Sequence, residues 1–207
     1  MSVIGSPRSE SSIWVQWQAP SVSVRNGEIL GYTVRYKPAG YPESTLIRQN
    51  VTNLNNIIEL QDLIVFTEYE VAVAAYNAKG VGVYSDYIRV RTHEGTPSAP
   101  PNNVQANAVN STTILLAWDP PASPTINGIN QGYIVTLARL DAESTDNSAT
   151  KQVTIPSTPE NLVQRQSIVL TDLFKYTEYS VSVLCFTSKG NGPASDDLVV
   201  RTLEDGK

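Results

Sequence analysis

Twenty residues of this chain occur twice, as Leu63-Ile-Val-Phe-Thr-Glu-Tyr-Glu-Val-Ala-Val-Ala-Ala-Tyr-Asn-Ala-Lys-Gly-Val-Gly and as Leu173-Phe-Lys-Tyr-Thr-Glu-Tyr-Ser-Val-Ser-Val-Leu-Cys-Phe-Thr-Ser-Lys-Gly-Asn-Gly. In each copy a Leu precedes a Tyr by six residues, and apolar side chains then recur at every second position: Tyr69, Val71, Val73, Ala75 and Tyr179, Val181, Val183, Cys185. A period of two is that of a strand with one buried face. A Tyr placed just after a Leu corner suits a ring that packs inward while its hydroxyl bonds back to the corner's backbone. Each strand runs into Lys-Gly-x-Gly, at Lys79 and Lys189, where glycine supplies backbone angles that other residues resist.

The rest of the chain repeats in the same order. Trp17 and Trp118 each end an alternating run (Ile13-Trp-Val-Gln-Trp, Ile114-Leu-Leu-Ala-Trp) and are followed by prolines that stop a strand. Asn26-Gly and Asn127-Gly turns lead into strands at Tyr32 and Tyr133. Along the first of these, Tyr32, Val34 and Tyr36 alternate with Thr33 and Arg35, which predicts a polar outer face open to solvent or a polar partner. The two Trp stand 101 residues apart and the two corner Tyr 110 apart, so the second copy carries nine more residues, expected in the polar stretches of 141–159. Apolar spacings of three and four never persist for a helix's length, so no segment reads as helical. About seven short strands in ~100 residues, with Trp17, Tyr69, Trp118 and Tyr179 as core and no paired Cys, predict an all-β chain of two tandem antiparallel sandwiches. The expected boundaries are 1–93, a short linker at 94–98 stiffened by Pro97, Pro100 and Pro101, and 99–207.

Composition limits what such a chain does. A net charge of −5 opposes a surface that tracks phosphates, so no nucleic acid is expected. No apolar run approaches the ~20 residues a bilayer crossing needs. Catalysis needs a nucleophile, a base and a stabiliser, or a metal with its ligands. His93 is the single histidine and sits in the linker, where it reads as a solvated residue; Cys185 is the single cysteine and, by parity, a buried packing thiol. No zinc site assembles from one His and one Cys, and carboxylates such as Glu143, Asp146, Asp196 and Asp197 read as solvated loop charges. The expectation is no enzyme, no cofactor, no metal and no small-molecule substrate.

The early Trp with following prolines, the Asn-Gly-x-x-x-Gly-Tyr turn, the Leu-to-Tyr corner with Thr-Glu-Tyr, the Lys-Gly-x-Gly loop and the Arg-Thr-x-Glu ending, all present twice, resemble two consecutive fibronectin type III domains over essentially the whole chain. Thr177-Glu-Tyr-Ser-Val-Ser-Val followed by Phe186-Thr-Ser-Lys-Gly-Asn-Gly-Pro is similar to domains in the ectodomains of neural immunoglobulin-superfamily adhesion molecules, sidekick-like proteins among them, and of receptor tyrosine phosphatases. There is no Arg-Gly-Asp for integrin capture and no Trp-Ser-x-Trp-Ser box of cytokine receptors. The resemblance implies a non-enzymatic extracellular segment of a cell-surface adhesion or receptor protein, with other proteins as partners, a second copy among them, and a membrane anchor outside these residues. Both ends read as cut from a longer array, with Met1 added for expression. The rival reading is an intracellular spacer array of the giant muscle protein type.

Asn50-Val-Thr52 and Asn110-Ser-Thr112 are glycosylation sequons placed away from inward-facing positions. For partner contact the candidates are Trp14, which parity turns outward, and the Gly-rich loops with Lys79, Tyr84 and Lys189. Trp14 is read either as covered by the first strand or an upstream neighbour, or as a contact anchor.

Overall fold

Side-chain alternation sets the strands and decides which face of each is buried. The structure, a computed structural model, describes residues 1–52, 54–141, 149–158 and 164–205. It divides into two units, Met1–His93 and Glu94–Lys207. In the first, β1 (Val3–Pro7), β2 (Ile13–Trp17) and β5 (Ile57–Leu60) form one antiparallel sheet. The facing sheet runs β4 (Ile47–Val51), β3 (Gly31–Pro38), β6 (Glu68–Asn77), with β7 (Gly80–Val81) and β8 (Ile88–Arg91) both paired to β6. The second unit repeats this. Its sheets are β13 (Gln166–Leu170), β10 (Thr113–Asp119), β9 (Asn102–Asn110), and β12 (Thr150–Pro156), β11 (Gly132–Arg139), β14 (Glu178–Thr187) with β15 (Gly190–Ala194) and β16 (Leu198–Arg201) on β14. Of the stretch 141–159, residues 142–148 and 159 lie outside the described residues, Glu143 and Asp146 with them.

Each core lies between its two sheets. In the first unit Ile13, Val15 and Trp17 of β2 pack against Tyr32, Val34 and Tyr36 of β3 and Tyr69, Val71 and Val73 of β6. In the second, Ile114, Leu116 and Trp118 meet Tyr133, Val135, Leu137, Tyr179, Val181, Val183 and Cys185. Trp17 meets Tyr32 edge-on at 5.1 Å and Trp118 meets Tyr133 likewise at 5.3 Å. Both indoles are essentially excluded from water. Truncating either to Ala would cost about 3–5 kcal/mol through lost burial and the cavity left behind.

The corner before β6 and β14 is held the same way in both units. The Tyr69 hydroxyl accepts the Ile64 N–H at 2.9 Å, and the Tyr179 hydroxyl accepts that of Phe174 at 2.9 Å. A buried Thr completes each corner. Thr92 Oγ1 accepts the Thr67 N–H at 2.9 Å and donates to Ile64 O at 2.8 Å; Thr202 Oγ1 accepts from Thr177 N at 2.9 Å and donates to Phe174 O at 2.7 Å. The Thr of the Arg-Thr ending therefore ties the last strand to the corner, a role its sequence position alone did not show.

Two expectations are corrected. Among the described residues one α-helical turn, α1 (Ser123–Ile126), and two 3-10 turns at 22–24 and 43–45 interrupt the strands. Segments of three or four residues are too short to display an apolar period. The outer face of β3, expected open and polar, is covered. Thr33 is buried and donates to Asn50 Oδ1 at 2.9 Å. The Arg35 guanidinium lies 4.0 Å over the Tyr84 ring and 4.7 Å over that of Tyr87. Lys37 is buried, donates to Tyr41 O at 2.8 Å and sits 3.2 Å from Glu70. Ala72 and Ala74, opposite Arg35 and Thr33 in register, are fully buried on this face too. Their small side chains leave room for the long cations to lie flat, an arrangement in which aliphatic stems cover the sheet.

Candidate interaction surface

Trp14 stands on the outer face of the β1–β2–β5 sheet, where parity put it, and is 41 % exposed. Its strand neighbours in register are Ser6 and Glu59. One residue pair along, Gln16 is flanked by Ile4 and Ile57, which are 62 % and 38 % exposed. The Arg8 guanidinium lies 4.6 Å from the centre of the Trp14 ring, so a cation covers part of the indole while the rest stays open to water. Ile4, Trp14, Gln16 and Ile57 border a shallow depression of about 80 Å³. The matching positions of the second unit, read from its strand register, hold Gln105, Leu115, Ala117 and Ser167. The combination of an exposed indole with two exposed isoleucines one register pair along thus belongs to the first unit.

Lys79 and Tyr84 lie together beside a cleft at the end of the first unit, while Lys189 belongs to the corresponding loop of the second. Lys79 is exposed and its N–H donates to Asn77 Oδ1 at 2.9 Å; the Lys189 N–H donates to Thr187 Oγ1 at 3.2 Å. Tyr84 is half-buried because its ring carries Arg35. Sequence reasoning had no signal for that stack, since Arg35 is far from Tyr84 and Tyr87 along the chain.

The asparagines of both sequons are exposed. Asn50 sits on the edge strand β4, its Oδ1 accepting from Thr33; Asn110 ends β9, its Oδ1 accepting the Thr112 N–H at 2.9 Å. His93 is exposed, and Cys185 is fully buried without a disulfide partner, its thiol pushed up to about 11 by burial. The segment 94–98, read from the sequence as a linker, is hydrogen bonded into the second unit. Gly95 N donates to Asn127 O at 2.8 Å, Thr187 Oγ1 to Gly95 O at 2.8 Å, and Ser98 N to Thr125 O at 2.8 Å. Among the described residues no group of three or more His, Cys, Asp or Glu side chains is placed to hold a metal ion.

The "Fibronectin type III domain" family profile matches residues 2–91 and 99–201. The chain belongs to that family. Among curated relatives, "Protein sidekick" of Drosophila melanogaster is 44 % identical over 207 residues, covering 98 % of this chain and 9 % of the relative. "Protein sidekick-2" of Gallus gallus is 45 % identical over 207 residues, covering 99 % and 9 %. "Protein sidekick homolog" of Caenorhabditis elegans is 38 % identical over 205 residues, covering 99 % and 9 %. The chain therefore spans about a tenth of the length of the relatives it matches. These two fibronectin type III domains share one corner, one Thr clamp and one core plan, and differ in what their outer faces present.

Proposed function

We propose that this pair of fibronectin type III domains is a non-enzymatic, extracellular part of a cell-surface adhesion protein, giving surface for protein–protein contact and acting as a semi-rigid spacer. The observation that carries the contact reading is the exposed Ile4, Trp14 and Ile57 surface. Large rings and branched aliphatics left open on a sheet face are the groups that anchor protein interfaces. Similarity to sidekick proteins along nearly the whole chain supports the adhesion setting. Pro97, Pro100 and Pro101, with their fixed φ, support the spacer role. The exposed sequon asparagines Asn50 and Asn110 support a location outside the cell.

Sedimentation equilibrium of the chain tests the contact. Self-association that Trp14→Ala abolishes, with the circular dichroism spectrum unchanged, is the expected result. A monomer at every concentration would remove the second copy as partner and leave the spacer. Peptide mapping of protein from its native host, reading glycan at Asn50 and Asn110, tests the location: occupancy excludes an intracellular array, and two bare sites would count against an extracellular one.

A further inference from the structure

Trp14 and Trp17 stand three residues apart, as Trp14-Val-Gln-Trp17, and strand geometry turns them to opposite faces of β2. Trp17 is sealed in the core, whereas Trp14 is exposed. The third tryptophan, Trp118, has no such companion, since Leu115 stands three residues before it and Pro121 three residues after. Two indoles at this spacing form the acceptor pattern for carbon-linked mannose, which transferases of the secretory pathway attach to the first of the pair. A short motif of this kind carries weight when its structural context suits the chemistry.

Here the context suits it. A hexose attached to Trp17 or Trp118 would have to be seated in a close-packed core, where even one extra methylene is felt. Trp14 looks outward instead, beside the shallow depression that it borders with Ile4, Gln16 and Ile57. Ser6 and Glu59 flank it in register, and Gln16 lies two residues along on the same face. The side chains of Ser6, Gln16 and Glu59 have no hydrogen-bonding or ionic partner among the described residues. With the Arg8 guanidinium, 4.6 Å from the centre of the indole, they offer unspent donors and acceptors to the hydroxyls of a sugar.

We propose that Trp14 is a C-mannosylation site, carrying a single mannose on carbon 2 of its indole. This rests on the extracellular reading above, because the donor, a polyprenyl phosphate mannose, is met in the secretory pathway. Indole C2 attacks carbon 1 of the sugar and forms the carbon–carbon bond. The bond from that carbon to the phosphate oxygen breaks, its electron pair leaves with the polyprenyl phosphate, and the C2 proton passes to a base, which restores the aromatic ring. Both indoles can be reached together only before β2 takes its place over the core, so attachment precedes folding and the finished fold keeps the sugar outside. The native contact surface at Ile4, Trp14 and Ile57 is then apolar groups with hydroxyls laid beside them.

The test is fragmentation mass spectrometry of peptides from the protein of its native host, read alongside the two sequon peptides. The peptide spanning Trp14 should be heavier by one hexose and should keep it through amide-cleaving glycosidase and alkaline elimination, which release N-linked and O-linked sugars. Fragmentation should place the hexose on Trp14 and leave Trp17 and Trp118 bare. Made in cells of that host, Trp17→Phe should lose the hexose from Trp14; whole-cell extracts give this reading whether or not the variant folds. The proposal is overturned by a bare Trp14 in protein whose Asn50 or Asn110 carries glycan, a result that leaves the location intact. It is overturned equally by a hexose on a neighbouring serine instead, or by one on Trp14 that Trp17→Phe leaves unchanged. Bare Trp14, Asn50 and Asn110 together would remove the location and the modification alike.

Discussion

The hydroxyl of Tyr69 accepts the backbone N–H of Ile64, five residues earlier, and thereby closes the turn that delivers β6 to the core. The ring is buried against Tyr36, 6.4 Å away, so one side chain serves both the core and the corner. Tyr69→Phe keeps the ring and strands the Ile64 N–H. The expected cost is about 1–2 kcal/mol in the first unit, and Tyr179→Phe should cost the same in the second. Denaturant unfolding followed by tryptophan fluorescence measures both; a loss under a few tenths would show that water replaces the hydroxyl without penalty.

Thr92 and Thr202 each accept one backbone N–H and donate to a corner carbonyl at the shorter of two distances. Thr→Val at either site conserves shape and removes both bonds, leaving Thr67 N or Thr177 N unsatisfied. We expect a loss of about 1–3 kcal/mol and faster hydrogen exchange at that amide. Thr→Ser should recover most of the stability, whereas equal losses for Val and Ser would assign the effect to packing.

Glu70 ties stability to pH. Hydrogen bonding to Lys37 first, then to Arg89, holds its carboxyl below the usual carboxylate range. Because the folded value is the lower one, this stabilisation is present above about pH 4.5 and is lost as pH falls through the folded value. Thermal melts between about pH 6 and 3 should show the first unit weakening on the acid side, and Glu70→Gln should flatten that part of the profile. An unchanged acid slope in Glu70→Gln would place the dependence elsewhere.

Cys185 is sealed in the second core and its thiol is raised to about 11 by burial. It should react with an aromatic disulfide reagent at pH 8 only when the second unit opens, so labelling should track the unfolding of that unit in denaturant. Prompt labelling of the native chain would contradict this.

How far the sequence reaches can be seen residue by residue. Trp17, Trp118, Tyr69 and Tyr179 were legible because inward positions of a strand follow parity, and parity needs no knowledge of neighbours. The covered face of β3 was not. Whether Arg35 and Lys37 are open depends on Tyr84 and Tyr87 of the loop between β7 and β8 and on Glu70 of β6, and alternation carries no information about what folds over a polar row. The same limit hid Thr92 and Thr202, whose partners stand 25 or more residues away. Trp14 could be placed outside by parity, but the partial cover from Arg8 and the isoleucines on either side of Gln16 follow from how the strands meet.

The anchoring of Gly95, Thr96 and Ser98 to Asn127, Thr187 and Thr125 bears on anyone who wishes to isolate the second domain. Trimming its start back to Ala99 would strip a strap from between two loops and lay bare the glycines beneath it. A recombinant version should begin at Glu94 or earlier if it is to keep the shape it has when whole.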